Sequence, residues 1–193
     1  MNNRLPADAK AVDRRVQRTR DALRDAMMAL MLERGWDAID VQTLCEQANI
    51  GRSTFYQHYA NKEELLKASF TGLRNALMVR AVANTSMPGQ LAFVPGLIAH
   101  VHEMQHMFRA LLGRRSGHYV QDRFRELLIE MVLAGVPAGK SRNWQAQAQA
   151  HYLAGALFEL LAWWLGNNRS QKPKEIEALF YLWSKPVLTP SSP

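Results

Sequence analysis

One stretch of the chain, residues 52–59, combines side chains that suit DNA with a complete absence of acidic groups. If this stretch is a helix with Phe55 and Tyr59 turned inward, its outer face carries a guanidinium, hydroxyls, an amide, a phenol and an imidazole. Arginine can read guanine bidentately and glutamine can read adenine, while hydroxyls and a helix N-terminus suit phosphate oxygens. A surface without carboxylates is what a polyanion requires. The outward residues are Arg52, Ser53, Thr54, Tyr56, Gln57 and His58.

Three signals around this stretch predict the elements that position it. Asp40 can cap a preceding helix over residues 41–48, because its carboxylate accepts backbone N–H groups of the first turn. Asn49 tolerates the left-handed backbone that a sharp turn needs. Asn61 is expected to cap a long helix over about 62–84. The order of helix, turn and second helix predicts a helix-turn-helix.

A further helix is expected before this motif, over residues 13–34. Its apolar residues recur at helical spacing on one face, and Gly35 is a plausible helix stop. Residues 1–12 are expected to form a mobile basic arm, either simply disordered or in extra contact with DNA. The apolar face consists of Leu23, Met27, Leu30 and Met31.

Composition is typical of a globular protein with an anionic partner. The 193 residues are 48% hydrophobic and 21% charged, with a formal net charge of +7. The single cysteine, Cys45, cannot form an internal disulfide, which favours a reducing compartment. The most apolar run, residues 153–165, is too short to span a bilayer. We therefore expect a cytoplasmic protein without a membrane segment.

The sequence does not favour an enzyme. It lacks the GxSxG and phosphate-loop motifs, and its acids and histidines are scattered. No catalytic residue, cofactor or metal site is assigned. His102 and His106 are four residues apart, a spacing that can bind zinc, but no clear cysteine or carboxylate accompanies them.

The second half of the chain predicts helices with surplus apolar surface. Helices are expected from about Leu97, over 119–133, over 143–166 and from Pro173, with a loose tail from Pro186. Methionines, aromatics and isolated polar groups among them are candidates for a small-molecule pocket, although each is individually more typical of a plain core. The candidates are His102, Met104, Met107, Phe108, Phe124, Met131, Tyr152, Phe158 and Trp163.

The motif resembles the DNA-binding domain of TetR/AcrR-family transcriptional regulators over roughly residues 14–70. The resemblance rests on Asp40-Val41, on the run from Ile50 to Tyr59 and on the run from Asn61 to Leu66. Two departures are Asn49, where the family usually has Gly, and Gly51, where it usually has Ser or Thr. The DNA-facing positions that the resemblance implies are Val41, Gln42, Arg52, Ser53, Thr54, Tyr56, Gln57, His58 and Lys62.

The resemblance implies an all-α chain with a helix-turn-helix domain over 13–62, the 62–84 connecting helix, and an effector-binding and dimerisation domain over 85–193. We expect a homodimer through the last two helices that binds a palindromic operator of double-stranded DNA. An unknown small molecule would shift the dimer toward head spacings that no longer fit both half-sites. The alternatives are a helical small-molecule or partner-binding protein without specific DNA binding, and a metal-responsive regulator.

Overall fold

The computed structural model describes residues 7–82, 89–113, 117–137, 139, 143–166 and 170–188, and the regular secondary structure of these residues is entirely helical. The helices are α1 (Ala7–Arg34), α2 (Val41–Ala48), α3 (Arg52–His58), α4 (Lys62–Val82), α5 (Val94–Glu103), α6 (Gln105–Leu112), α7 (Gly117–Ala134), α8 (Trp144–Gly166) and α9 (Pro173–Leu188). Short 3-10 turns occupy Trp36–Ala38 and Gly89–Leu91. The predicted all-α class is confirmed. Within these ranges, no helix has the length and hydropathy needed to cross a membrane.

The chain divides into two compact units, residues 1–69 and 70–193. The first unit contains α1 to α3 and the opening two turns of α4. The second contains the rest of α4 together with α5 to α9. The predicted connecting helix therefore contributes residues to both units.

The first unit is built on the apolar face of α1 that the sequence predicts. Leu23, Met27, Leu30 and Met31 are all at most 4% exposed. Gly35 ends the helix with φ 81°, a backbone conformation that favours glycine, and its N–H bonds to the Met31 carbonyl at 3.1 Å. Helix α2 packs against α1, and α3 packs against α2.

The second unit is centred on a cluster of aromatic rings. The Phe124 ring of α7 lies 5.9 Å from Phe70, 5.9 Å from Phe108 and 6.2 Å from Phe158, measured between ring centroids. Close aromatic pairs of this kind add to the free energy of burial. Around the cluster, α7 packs along α8, and α9 packs against α5 and α8.

Several predicted helix bounds are wrong. Residues 7–12, expected in the mobile arm, belong to α1, while residues 1–6 lie outside the described part. The helix predicted from Leu97 begins at Val94, where Pro95 lies in its first turn, and it is broken at Met104 (φ −109°, ψ 33°). Periodicity did not reveal this break because Met104 is neither glycine nor proline.

The end of the chain also differs from its prediction. The last helix continues to Leu188 with Pro186 inside it, instead of ending before that proline. Pro186 lies within the last turn, where it has no N–H to donate to the carbonyl four residues earlier, so the end of α9 lacks one helical hydrogen bond. Trp183, one turn before the end of the helix, is 63% exposed. The stripe that α9 buries is formed by Ile176 and Phe180.

Candidate nucleic-acid interface

Asp40 caps α2, as its sequence position predicts. Its Oδ1 accepts hydrogen bonds from the Thr43 backbone N–H at 2.7 Å and from the Thr43 hydroxyl at 2.8 Å. Because these bonds stabilise the ionised carboxylate, they lower the pKa of Asp40 below its usual value. Val41 follows as the first helical residue and is half-buried.

The turn between α2 and α3 depends on one left-handed residue. Asn49 has φ 53° and ψ 47°, which makes it the one non-glycine position with a positive φ among the described residues. The N–H of the next residue, Ile50, bonds to the Cys45 carbonyl at 2.9 Å and closes the turn. Gly51 then precedes α3 with an extended backbone and without a side-chain cap. Asn49 therefore adopts the backbone conformation that the turn needs, while Gly51 provides no side-chain cap for the start of α3.

Phe55 decides which face of α3 points outward. Its side chain is fully buried, with the Tyr59 ring 6.0 Å away and the Tyr56 ring in an edge contact at 5.5 Å. Burial also raises the pKa of the Tyr59 phenol. A seven-residue helix has little stability alone, so this anchor holds the outer residues in place.

The predicted outward residues of α3 share one accessible surface. Arg52, Ser53, Tyr56 and Gln57 are exposed, and Tyr56 reaches 58%. Thr54 and His58 are half-buried at its edge. No acidic residue lies in α3, so its outer face carries neutral and cationic groups.

Gln42 joins α2 to α3 through a short chain of hydrogen bonds. Its Nε2 donates to the Glu46 carboxylate at 2.9 Å, and its Oε1 accepts from the Arg52 guanidinium at 3.1 Å. Glu46 is not among the DNA-facing residues that the sequence predicts. Its spacing of four residues after Gln42 on a helix was the available signal.

Lys62 lies where the family resemblance predicts a DNA contact, but its ammonium group donates hydrogen bonds to two backbone carbonyls. Its Nζ donates to the carbonyls of Trp36 at 3.1 Å and Ile39 at 2.7 Å. The same ammonium lies 4.6 Å from the centre of the Trp36 ring, a distance suited to a cation–π interaction. In this structure Lys62 therefore ties the start of α4 to the segment before α2.

Asn61 caps α4 as predicted. Its Oδ1 accepts a hydrogen bond from the Glu64 N–H at 2.9 Å, and the Glu64 carboxylate accepts from the Ala60 N–H at 2.9 Å. The two bonds satisfy donors on both sides of the helix start, in the manner of a capping box.

The nine predicted ligand-lining residues are not brought together in one cavity. Phe108, Phe124, Met131 and Phe158 are at most 3% exposed and pack as core, so the prediction for them finds no support in this conformation. Four others separate into two surfaces: His102 and Met104 are exposed near the α5–α6 break, whereas Tyr152 and Trp163 are exposed on α8. The ninth, Met107, is half-buried. Residue type alone did not distinguish core from pocket.

His102 has partners of its own. Its ring stacks on Trp164 with centroids 5.8 Å apart, and its Nδ1 lies 3.0 Å from the Gln105 amide nitrogen. Within the described ranges, no three or more His, Cys, Asp or Glu side chains converge on a possible metal site.

The described residues of the second unit line a groove and a cleft. A groove of about 400 Å³ lies between α8 and α9, and a cleft of about 330 Å³ lies between α6 and α8. The groove is lined by Tyr152, Ala156, Leu160, Trp163, Leu179, Phe180, Trp183 and Ser184. The cleft is lined by Arg109, Leu112, Gly113, Ala162, Leu165 and Gly166.

Comparison with known proteins places the interface in a family context. The family model described as "Bacterial regulatory proteins, tetR family" matches residues 23–69. The uncharacterized HTH-type transcriptional regulator YxbF of Bacillus subtilis (strain 168) is 48% identical over 59 residues, which are 30% of this chain and 16% of that protein. The HTH-type transcriptional regulator TcmR of Streptomyces glaucescens is 25% identical, covering 70% of this chain and 76% of its own.

A solved structure extends the likeness beyond the first unit. The crystal structure of a TetR transcriptional regulator from Streptococcus agalactiae 2603V has a TM-score of 0.65 and 25% sequence identity. The likeness covers 91% of this chain and 98% of that one. Both units of the chain therefore have counterparts in a solved regulator.

Proposed function

We propose that this chain, which belongs to the TetR family of bacterial regulatory proteins, binds a palindromic DNA operator as a homodimer and represses transcription until a small molecule releases it. The observation that carries the DNA-binding part is the outer face of α3. This face is accessible, free of carboxylates and held by the buried Phe55. The α3 helix would enter the major groove, where its side chains reach base edges and phosphates.

The residues of this face divide into two roles. Arg52 and Gln57 carry groups that match guanine and adenine edges. Ser53, Thr54 and Tyr56 carry hydroxyls that suit phosphate oxygens, with Val41, Gln42 and His58 at the periphery. Lys62 would contact a phosphate through the N–H that is left beyond its bonds to Trp36 and Ile39. Phosphate contacts set affinity for all DNA, whereas base contacts set sequence preference.

Two substitutions separate these roles. Tyr56→Phe removes the hydroxyl and keeps the ring contact with Phe55, so it should weaken binding to all sequences alike. Gln57→Ala should lower the preference for the operator over unrelated DNA, since a good bidentate base contact contributes about 1–3 kcal/mol of discrimination. Tyr119→Phe and Gln145→Ala, in α7 and α8, are the matched controls. Binding is measured by fluorescence anisotropy with operator and scrambled duplexes; if the α3 variants and controls bind alike, the proposal fails.

The homodimer proposal is supported by the groove between α8 and α9. Among the side chains that line it, Tyr152 is 61% exposed, Trp163 is 41% exposed and Trp183 is 63% exposed. Clustered apolar surface of this kind marks an interaction site. Helices α8 and α9 are also the pair that the family resemblance implies for the dimer interface. A second copy of the same groove would bury these rings across a two-fold axis.

A pair of tryptophan variants tests this interface. Trp183→Glu places a charge inside the groove and should convert the dimer to monomer at micromolar concentration. Trp144→Glu is the matched control, because Trp144 is 73% exposed on α8 and does not line the groove. Mass is measured by analytical ultracentrifugation. A wild-type chain that is monomeric at the concentration where it binds DNA contradicts the dimer.

The effector proposal is supported by the cleft between α6 and α8. Its volume of about 330 Å³ falls within the range of small-molecule sites, and it combines apolar Leu112 and Leu165 with the charged Arg109. A ligand bound here releases DNA only if it binds more tightly to the state without DNA. Ala162→Phe would fill the cleft. A compound that raises the Tm of wild type but not of Ala162→Phe identifies this site, whereas an equal rise in both places the ligand elsewhere.

The direction of regulation is tested in cells. Deletion of the gene should raise transcription from promoters that overlap the bound sites. A fall in transcription after deletion would make the protein an activator.

A further inference from the structure

We propose that Glu46 is a positioning residue that sets the base preference of Gln42 and Arg52. This inference rests on the proposed DNA-binding function and adds a specificity determinant outside the recognition helix. Glu46 carries a negative charge beside residues proposed to face a polyanion, which weakens electrostatic attraction to phosphate. Its hydrogen bond to Gln42 supplies a compensating role.

In the hydrogen bonds that join Glu46, Gln42 and Arg52, the chemistry of the side chains fixes which group donates and which accepts. Ionised carboxylates only accept hydrogen bonds, guanidinium groups only donate them, and a primary amide does both. Glu46 therefore binds the amide nitrogen of Gln42, at 2.9 Å, and leaves the amide oxygen for Arg52, at 3.1 Å. The reverse orientation of the amide would set oxygen against carboxylate at one end and N–H against guanidinium at the other. Both partners thus favour the same orientation of Gln42.

The position of the three residues makes this orientation relevant to DNA. Gln42 and Glu46 are one turn apart on α2, Arg52 begins α3, and all three are exposed. They border a depression of about 330 Å³ between the two helices, which Cys45, Asn49, Ile50 and Gly51 also line. The depression therefore opens between the two helices that would lie against the operator.

A fixed Gln42 amide defines what these two residues offer to a base edge. One lone pair of the amide oxygen is committed to Arg52, and one N–H of the amide is left beyond its bond to Glu46. One guanidinium nitrogen of Arg52 donates to Gln42, and its remaining N–H groups would be available to base acceptors, so donors outnumber acceptors in the pair. The pair therefore presents donors, which select acceptor-rich edges such as O6 and N7 of guanine. If Glu46 can no longer dictate the orientation, the amide can present oxygen as well as N–H, and the preference broadens.

Glu46→Gln tests the inference because it keeps the size of the side chain while allowing both donation and acceptance. The matched control is Glu33→Gln, which removes the same charge from an exposed residue of α1. Base preference at every position is measured by binding full-length wild-type and variant proteins to a library of operator half-site substitutions. Affinity for unrelated duplex DNA and the Tm are measured in parallel.

Glu46→Gln is expected to lower the preference for the operator bases without lowering the affinity for unrelated DNA. At the bases that Gln42 and Arg52 read, Glu46→Gln should lower the preference by about five- to tenfold, near the lower end of what one good base contact contributes. Its affinity for unrelated DNA should stay equal or rise, because a negative charge has been removed. Glu33→Gln should leave the base preference unchanged. A merely structural role for Glu46 would lower the Tm and weaken binding to all sequences together.

A double substitution checks that Glu46 acts through Gln42. In a Gln42→Ala background, Glu46→Gln should cause no further loss of base preference, because the amide that it orients is gone. Unchanged preference in the single variant, a uniform loss of affinity, or an equal effect in the Gln42→Ala background would each overturn the inference. If the wild-type chain has no sequence preference, the proposed function fails, and the inference fails with it. That outcome is distinct from a specific wild type whose preference does not depend on Glu46.

Discussion

Lys62 offers a sharp test because sequence and structure assign it different roles. The family resemblance implies a DNA contact, whereas the structure directs its Nζ to the carbonyls of Trp36 and Ile39, at 3.1 and 2.7 Å. Lys62→Met removes the charge and keeps most of the side-chain length. The two carbonyls would then lose a charged donor, and the Trp36 ring would lose its cation.

The expected loss of stability follows from these contacts. A hydrogen bond to a charged group contributes about 1.5–3 kcal/mol when well buried, and an exposed cation–π contact adds about 0.5–1 kcal/mol. Lys62 is half-buried, so water can rehydrate part of both carbonyls, and we expect a total near the value of one such bond, about 2 kcal/mol. For a chain of this length that lowers the Tm by about 4–8 °C.

Thermal unfolding without DNA and the salt dependence of DNA binding distinguish the two roles. Lys67→Met is the control, since Lys67 is exposed on the same helix. The structural role predicts a clear fall in Tm for Lys62→Met and little change for Lys67→Met. An unchanged Tm together with a salt slope reduced by about 0.9, the value of one lost phosphate contact, would refute the reasoning and make Lys62 a phosphate ligand.

Other substitutions test separate parts of the fold. Asn49→Ala should lower the free energy of unfolding by about 1 kcal/mol because alanine is strained in the left-handed region, while Asn49→Gly should leave it nearly unchanged. Equal midpoints of chemical denaturation for the two variants would contradict this. Gly135→Ala should lower stability by about 1–3 kcal/mol, because its Cβ would meet the backbone of Gly89; an unchanged denaturation midpoint would contradict that approach. Phe124→Ala should cost about 3–5 kcal/mol by opening a cavity among the rings, and a loss below 1 kcal/mol would mean that the cluster is loosely packed. Burial is the main cause that lowers the pKa of His100 below its usual 6.5. The contribution of His100 to the free energy of unfolding should therefore be complete above pH 6.5 and be lost as the pH falls through the lowered pKa. The same dependence of stability on pH in His100→Gln would refute this.

The first unit was largely predictable because local chemistry determines it. Asp40, Asn49 and Asn61 each act within a few residues of their own position, and capping or turn formation depends on side-chain type. Phe55 is the apolar anchor of a short polar helix, so its burial also follows from pattern. The roles of Lys62 and Glu46 were not predictable in the same way, since Lys62 reaches carbonyls more than twenty residues away and the function of Glu46 depends on Arg52 in another helix.

The second unit was less predictable because helical periodicity cannot tell what covers an apolar face. Phe124 and Phe158 face the interior, while Tyr152, Trp163 and Trp183 line an exposed groove. All five are aromatic residues in helical patterns. Only their positions in the folded chain separate core from groove, and this is why the predicted ligand residues divided among several surfaces.

The most direct test of DNA recognition is selection of bound sequences from a random duplex library with the purified protein. We expect one enriched palindrome with two half-sites, whose centres are separated by about one turn of DNA or a multiple of it. Arg52→Ala or Gln57→Ala should relax the preference at individual bases of each half-site. Enrichment without any shared motif, with equal binding by these variants, would contradict the claim that α3 reads an operator.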